Sequence, residues 1–294
     1  MQTIVLATQK GGSGKSTLAI GLALTAIQAG HTVRLIETDP QGTLSNWQNR
    51  RVYAEPIVEP VYTAAEIEPR LRSLEHSGVT LVIVDTASGV NAVTTAAIRH
   101  SDFCLIPARP SVADIEATTS TLDIVRAWKK PFAFVLNQTP IRGQRIGNAA
   151  NSLGEEAALD LADVLAQPLI VMRNDHQDAL SAGLAVSEYA PTGKSAEEVR
   201  GLWQWLATRL DGDITVQQAA GPARTRAIAG DCARDVRAGP RGSDCGYFLN
   251  LPAWPGWGHM RRTSSSRGGG ASHVADRAAV IAKTPESPNS AGWR

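Results

Sequence analysis

Eight consecutive residues concentrate much of the chemistry open to this sequence. Lys10-Gly11-Gly12-Ser13-Gly14-Lys15-Ser16-Thr17 sets two lysines, three glycines and three hydroxyls between a β-branched run and a helical one. Glycines let backbone N–H groups converge on phosphate oxygens without a Cβ in the way, and the N-terminus of the following helix adds partial positive charge. In that context Lys15 neutralises the β- and γ-phosphates of a nucleotide and the Ser16 hydroxyl is a ligand for Mg²⁺. Gly11, Gly12, Ser13, Gly14, Lys15, Ser16 and Thr17 are the expected nucleotide-binding residues.

Two further segments end apolar runs in acids. Val33-Arg34-Leu35-Ile36-Glu37-Thr38-Asp39-Pro40-Gln41-Gly42 puts Asp39 at the carboxyl end of a parallel strand, the edge that faces a nucleotide crevice. Asp39 before Pro40 also fits a turn-capping aspartate. In Thr80-Leu81-Val82-Ile83-Val84-Asp85-Thr86 an apolar strand ends at Asp85, whose hard oxygens suit Mg²⁺ either through water or through Ser16. The small-residue loop Ala87-Ser88-Gly89 follows, a place compatible with sensing a γ-phosphate.

The glycine loop departs from G-x-x-x-x-G-K-[ST], because Gln9 holds the first glycine's position and Lys10 stands next to it. Lys10-Gly-Gly-x-Gly-Lys-Ser resembles the deviant Walker A motif of the ParA/MinD group of P-loop ATPases. In that group the extra lysine reaches the partner subunit's nucleotide, a cation placed like an arginine finger. Glu37-Thr38-Asp39-Pro40-Gln41 resembles the group's D-x-D-P-Q segment, with Glu37 for the first Asp. The resemblance gives Asp39 the attacking water and the metal shell. The stretch from Asp102 through Ile106-Pro107, Pro110-Ser111 and Asp114, and the segments 171–174 and 185–189, follow the group's pattern as well. Asn137 closes Phe134-Val135-Leu136-Asn137-Gln138, where the resemblance makes it an adenine contact and a strand-ending turn makes it merely a bend.

The resemblance covers residues 1 to about 210. It implies an ATPase of the ParA partition type that hydrolyses ATP at the β–γ bond with Mg²⁺, using Lys10, Lys15 and Asp39. It further implies a homodimer on ATP, non-specific DNA binding, stimulation by a ParB-like centromere-binding protein, and a cytoplasmic, nucleoid-associated protein. Arg173 and Lys194 sit where DNA-contacting cations occur in the group, although either reads equally as a solvated charge. The alternative is a MinD-like membrane-cycling positioning ATPase. That reading needs a basic amphipathic terminal helix, which the tail lacks, so no membrane partner is expected. An iron–sulfur reductase needs body cysteines, and of the three only Cys104 lies there.

The elements that must position these residues are legible in outline. The 294 residues are 43% hydrophobic, with no apolar run near the roughly 20 residues that cross a bilayer. Three scattered cysteines argue against a disulfide framework and fit a reducing compartment. Residues 1–210 carry 18 Lys and Arg against 21 Asp and Glu, while 211–294 carry 11 against 7, so any nucleic-acid surface has to be local. Strands are expected at 3–8, 32–37, 57–61, 80–85, 103–106, 132–137 and 169–172, and helices at 16–29, 111–128, 148–166 and 195–210. Alternation of the two predicts an α/β fold, a doubly wound, mainly parallel sheet with helices on both faces. In the last helix Ser195 and Glu198 have capping-box spacing, and Trp203 belongs to an apolar face. Residues 211–294 are expected to form a low-complexity, disordered tail, with the aromatic cluster Tyr247, Phe248, Trp254 and Trp257 as its one exception.

Overall fold

Parallel strands buried on both faces need helices above and below them, and that is the architecture found in a computed structural model, which describes residues 1–210. The tail expected over 211–294, aromatic cluster included, lies outside the described residues. The first half of the chain runs β1 (Gln2–Leu6), α1 (Lys15–Gln28), β2 (Val33–Glu37), α2 (Thr43–Arg50), β3 (Ile57–Pro60), α3 (Ala64–His76), β4 (Leu81–Asp85) and α4 (Ala92–Arg99). The second runs β5 (Phe103–Ala108), α5 (Val112–Glu116), α6 (Thr119–Ala127), β6 (Phe132–Leu136), α7 (Gln144–Ala157), α8 (Leu161–Val164), α9 (Asp175–Ser181), α10 (Val186–Tyr189) and α11 (Lys194–Leu210).

Strand order is β3-β2-β4-β1-β5-β6, and every pairing is parallel. Successive side chains alternate between two cores. Ile4, Leu6, Leu35 and Ile83 pack with α1, α2 and α11, while Val5, Ile36, Val84 and Ile106 pack with α3, α4, α6 and α7. Trp203 belongs to the first core, 5% exposed, with His31 edge-on at 5.3 Å. Helices α1 and α11 meet closely at Gly21, where an added Cβ would come within 3.0 Å of the Val199 side chain. Register brings Leu6, Asp85 and Glu37 side by side, so three strands end at one edge.

Four expectations need correction. The strand at 169–172 is reduced to a single bridge between Thr139 and Val171. Ile170 donates to Leu136 and Thr139 to Ile170, but Gln138 has φ +53 and turns the chain between them, so no continuous ladder forms. The helix at 111–128 is two helices, divided where buried Thr118 bonds its hydroxyl back to the Ile115 carbonyl. That at 148–166 begins earlier, at Gln144, and breaks at Ala158, whose φ is +53, before α8 restarts with Asp160 as its cap. The capping box is absent too, since the Ser195 hydroxyl donates to Asp175 and Glu198 takes the Val171 N–H and the Arg173 guanidinium. Helices α2, α3, α4, α9 and α10 were not expected; α2, Thr-Leu-Ser-Asn-Trp-Gln-Asn-Arg, carries only two buried side chains, too few for a visible period.

Helix α2 follows the acid segment and is fixed at both ends. At its start, Glu37, fully buried, accepts from the Leu44 N–H at 2.6 Å, the Ser45 N–H at 3.2 Å and the Ser45 hydroxyl. At its end, Arg51 makes a bidentate pair with Glu188 at 2.8 and 2.7 Å, with its guanidinium 4.9 Å from the Trp47 ring. The Arg51 side chain is 2% exposed, so removing its partner leaves a buried charge. Glu188→Ala should therefore cost about 3 kcal/mol in urea unfolding. A loss under about 1 kcal/mol would show that the pair does not anchor α2.

Candidate functional site

The glycine loop emerges from β1 and leads into α1, and its shape is enforced from β6. Gly14 has φ +92, a left-handed conformation that favours glycine, and a Cβ there would stand 2.2 Å from Asn137 Nδ2. Asn137 Nδ2 donates to the Ser13 carbonyl at 2.7 Å, and Gln138 Nε2 donates to the Gly12 carbonyl at 2.9 Å. With those carbonyls tied outward, the loop and the uncapped first turn of α1 keep N–H groups for another acceptor. They border a cavity of about 400 Å³ walled by Gly11, Gly12, Gly14, Lys15, Ser16 and Thr17 on one side and Asp39, Gln41, Thr43 and Ser88 on the other.

Lys15 is 7% exposed, and its ammonium donates to the Ser88 hydroxyl at 3.4 Å. Burial lowers its pKa, and the carboxylates of Asp85 and Asp39 oppose that shift. Asp85 is fully buried, and among the described residues neither of its oxygens has a hydrogen-bond partner within ordinary bonding geometry. Desolvation raises its carboxyl pKa to about 7, against the pull of the Ser16 hydroxyl and Lys15. Asp39 binds the Gln41 N–H through Oδ1 at 3.0 Å, so its carboxylate is oriented while it lines the cavity. A buried unpartnered carboxylate acted on by a serine hydroxyl, beside a lysine and free backbone N–H groups, fits a hard divalent cation held together with phosphate. Ser16 and Asp85 are the side chains here that suit Mg²⁺.

The remaining expected residues are placed differently. Lys10 is half-buried on the loop and does not line the cavity wall. Its charge acts on Asp114 instead. Asn137 is 5% exposed and borders a second cavity of about 110 Å³ with Gly14, Thr17, Met172, Arg173 and His176. That places it both as the clamp on Ser13 and at the wall of the smaller cavity. Arg173 is not a free surface cation, because its Nη2 pairs with Glu198 at 2.6 Å and its Nε is buried. It faces the second cavity, and its charge is neutralised locally. Lys194 is exposed at the first residue of α11. Glu37 contributes no free carboxylate to the cavity, since it caps α2.

Gln138, Thr43 and Arg109 were not singled out from the sequence. A glutamine after an apolar strand and a threonine after a glycine carry no distinctive spacing, and their proximity to the loop arises from the sheet order.

With this geometry in place, residues 4–213 match the family described as the CobQ/CobB/MinD/ParA nucleotide binding domain. The chain belongs to that family. A carboxysome distribution protein A of Halothiobacillus neapolitanus is 28% identical over 206 residues, covering 67% of this chain and 91% of that one. The chromosome-partitioning ATPase Soj of Thermus thermophilus is 26% identical over 243 residues, 71% of this chain and 97% of its own. Among solved structures, an ATP complex of a Cyanothece McdA variant superposes with a TM-score of 0.59 at 19% identity, covering 70% of this chain and 96% of that one. That likeness establishes the fold, a P-loop NTPase sheet of the ParA/MinD kind.

Unpaired burial of Asp85 has a measurable consequence in the nucleotide-free protein. Its unfolded carboxyl ionises near the ordinary value of 3.8 and its folded one near 7, so stability is lost as pH rises between those values and is level above them. Asp85→Asn removes that loss. The variant should be more stable than the wild type at pH 8, with the gap narrowing steadily toward pH 5 in denaturant titrations. Parallel curves across that range would mean that Asp85 is paired in the folded state.

Proposed function

We propose that this chain is an ATP-driven positioning switch of the ParA type, hydrolysing the β–γ bond of ATP with Mg²⁺. The carrying observation is the juxtaposition of buried Asp85 with Ser16 and Lys15, two residues that line a glycine-walled cavity together with Asp39. In this reading Lys15 and the loop N–H groups hold the β- and γ-phosphates, Ser16 and Asp85 hold the metal, and Asp39 orients the attacking water. Mg²⁺, when bound, supplies charge neutralisation at the phosphate oxygens. The Asn137 clamp keeps the loop open to the nucleotide while its side borders the smaller cavity, which suits the base.

Dimerisation on ATP accounts for two features. Lys10 stays off its own cavity wall, which leaves its ammonium for a second copy's nucleotide. Exposed apolar side chains follow the carboxyl ends of three strands: Val90 after β4, Val112 after β5 and Ile141 after β6. A partner copy docked on that edge would cover them. The ATP dimer then binds DNA non-specifically through phosphate contacts, with Lys194 carried forward as one contact, and a ParB-like partner stimulates hydrolysis. The cargo is a DNA replicon in this reading. The similarity to carboxysome distribution proteins favours a second one, a protein compartment moved by the same cycle. Fluorescent tagging of the chain beside a resident plasmid and beside any encoded compartment distinguishes the two.

Three variants test the cycle. Lys15→Ala should lose nucleotide affinity by about 100-fold, or about 3 kcal/mol, read by calorimetry, since the main buried cation is gone. Lys10→Ala should bind ATP normally yet show no ATP-dependent dimer by light scattering. Asp39→Ala should bind ATP, form dimers and hydrolyse at least about 10²-fold more slowly. Undiminished turnover in Asp39→Ala would reduce that residue to a turn.

For DNA, affinity should be indifferent to sequence, should require ATP and Mg²⁺, and should fall linearly as log affinity against log salt. Lys194→Glu should weaken all sequences alike and flatten that slope without changing nucleotide affinity. Preference for one short sequence would contradict the positioning mechanism.

A further inference from the structure

A third cation stands at the glycine loop besides Lys10 and Lys15. Arg109 directly follows β5, and β5 pairs with β1 in parallel, so its backbone leaves the sheet at the edge where the loop begins. Its Nη1 lies 4.0 Å from the point that a Cβ on Gly12 would occupy, which sets the guanidinium beside the loop. Gly12 itself lines the 400 Å³ cavity.

The side chain is held in that pose by a buried acid. Arg109 Nε donates to Asp114 Oδ1 at 2.9 Å, and the Ser111 hydroxyl donates to Asp114 Oδ2 at 2.5 Å. Ser111 caps α5 and accepts the Asp114 N–H in return, so the carboxylate is fixed from its own helix. Asp114 is 3% exposed. Burial alone would raise its pKa, but the bonds from Arg109 and Ser111 and the charges of Arg109 and Lys10 hold it below the usual carboxylate range. One carboxylate thus faces two cations, and a net positive charge remains beside the loop. An anion would complete the balance. The Nη groups carry the donors not used on Asp114, in the planar fork that matches phosphate oxygens.

Resting on the ATP reading above, we propose that Arg109 is a further catalytic residue, contacting the terminal phosphate as charge develops on it, and that Asp114 is the positioning residue that aims the guanidinium at the loop. Nε is tied to protein and Nη is presented to ligand, a division of labour that a lysine ammonium does not offer. The contribution falls on the transition state, so it is read in kcat with KM little changed.

The test uses the full chain and phosphate release with Mg-ATP. Arg109→Ala should lower kcat at least tenfold with KM within threefold, and its melting temperature should stay within a few degrees of the wild type. Millimolar guanidinium should restore part of the rate in Arg109→Ala and none in Lys15→Ala, a rescue that a purely structural arginine would not show. Arg109→Lys should recover little. Asp114→Asn should lower kcat in the same direction by a smaller factor. Wild-type turnover with Arg109→Ala unchanged, or a rate loss in that variant without guanidinium rescue, overturns this inference alone. Absence of Mg-ATP hydrolysis by the wild type overturns the proposed function and this inference together.

Discussion

A buried carboxylate with no close ion pair among the described residues is the constraint around which the carboxyl edge of the sheet is organised. Taking Asp85 out of water disfavours its charged form, and the protein offsets that with the charge of Lys15 and the Ser16 hydroxyl rather than with a closed ion pair. The same burial disfavours the lysine's charge. Neither group reaches its preferred state through the other alone. Local stability is thereby exchanged for a site whose electrostatics are completed only by a cation and an anion arriving together.

Backbone geometry does the rest of the positioning. The Leu6, Asp85 and Glu37 register brings three strand ends into line, and Thr86 locks the turn after β4 by donating to the Leu6 carbonyl. Asn137 and Gln138 hold two loop carbonyls, and Glu37 holds the start of α2. Between these fixed points run the short connections that carry Asp39 and Ser88. Because those residues sit on connections rather than on strands, a change of charge in the cavity acts on segments with little sheet bonding of their own.

Much of this was legible in the sequence because it depends on short-range pattern. The apolar runs ending in Glu37 and Asp85 marked their strands, and glycine spacing before a helix former marked the phosphate loop. What stayed hidden depends on sheet order. β5 lies next to β1, and β6 next to β5, only because the chain crosses over, so Arg109, Asn137 and Gln138 reach the loop from distant parts of the sequence. The expected strand at 169–172 failed for a similar reason, since Gln138 turns to meet Gly12 and interrupts the ladder that the apolar run would have joined. Helix α2 went unseen because only Leu44 and Trp47 of its eight residues are buried, and its ends are fixed by Glu37 and the Arg51–Glu188 pair, which leave no apolar period.

The substitution of Glu37 for an aspartate in the acid segment follows from where its oxygens must go. They bond the Leu44 and Ser45 N–H groups, at the first turn of a helix whose N-cap is Gly42 and has no side chain to offer. The extra methylene of glutamate extends that reach from the end of β2, and the carboxylate favours the positive end of α2. Glu37 is consequently committed to the fold, which leaves Asp39 on the cavity wall and Asp85 buried beside Ser16 and Lys15. Against them the cavity wall sets one cation, Lys15. A nucleoside triphosphate brings more negative charge than Lys15 and one divalent metal neutralise. The balance has to come from outside the wall, and the cations beside the loop there are Lys10 and Arg109, bound electrostatically to a single carboxylate, Asp114. Charge balance at the loop therefore falls to the cations beside it, Arg109 among them, whose Nη1 stands next to Gly12 of the same subunit.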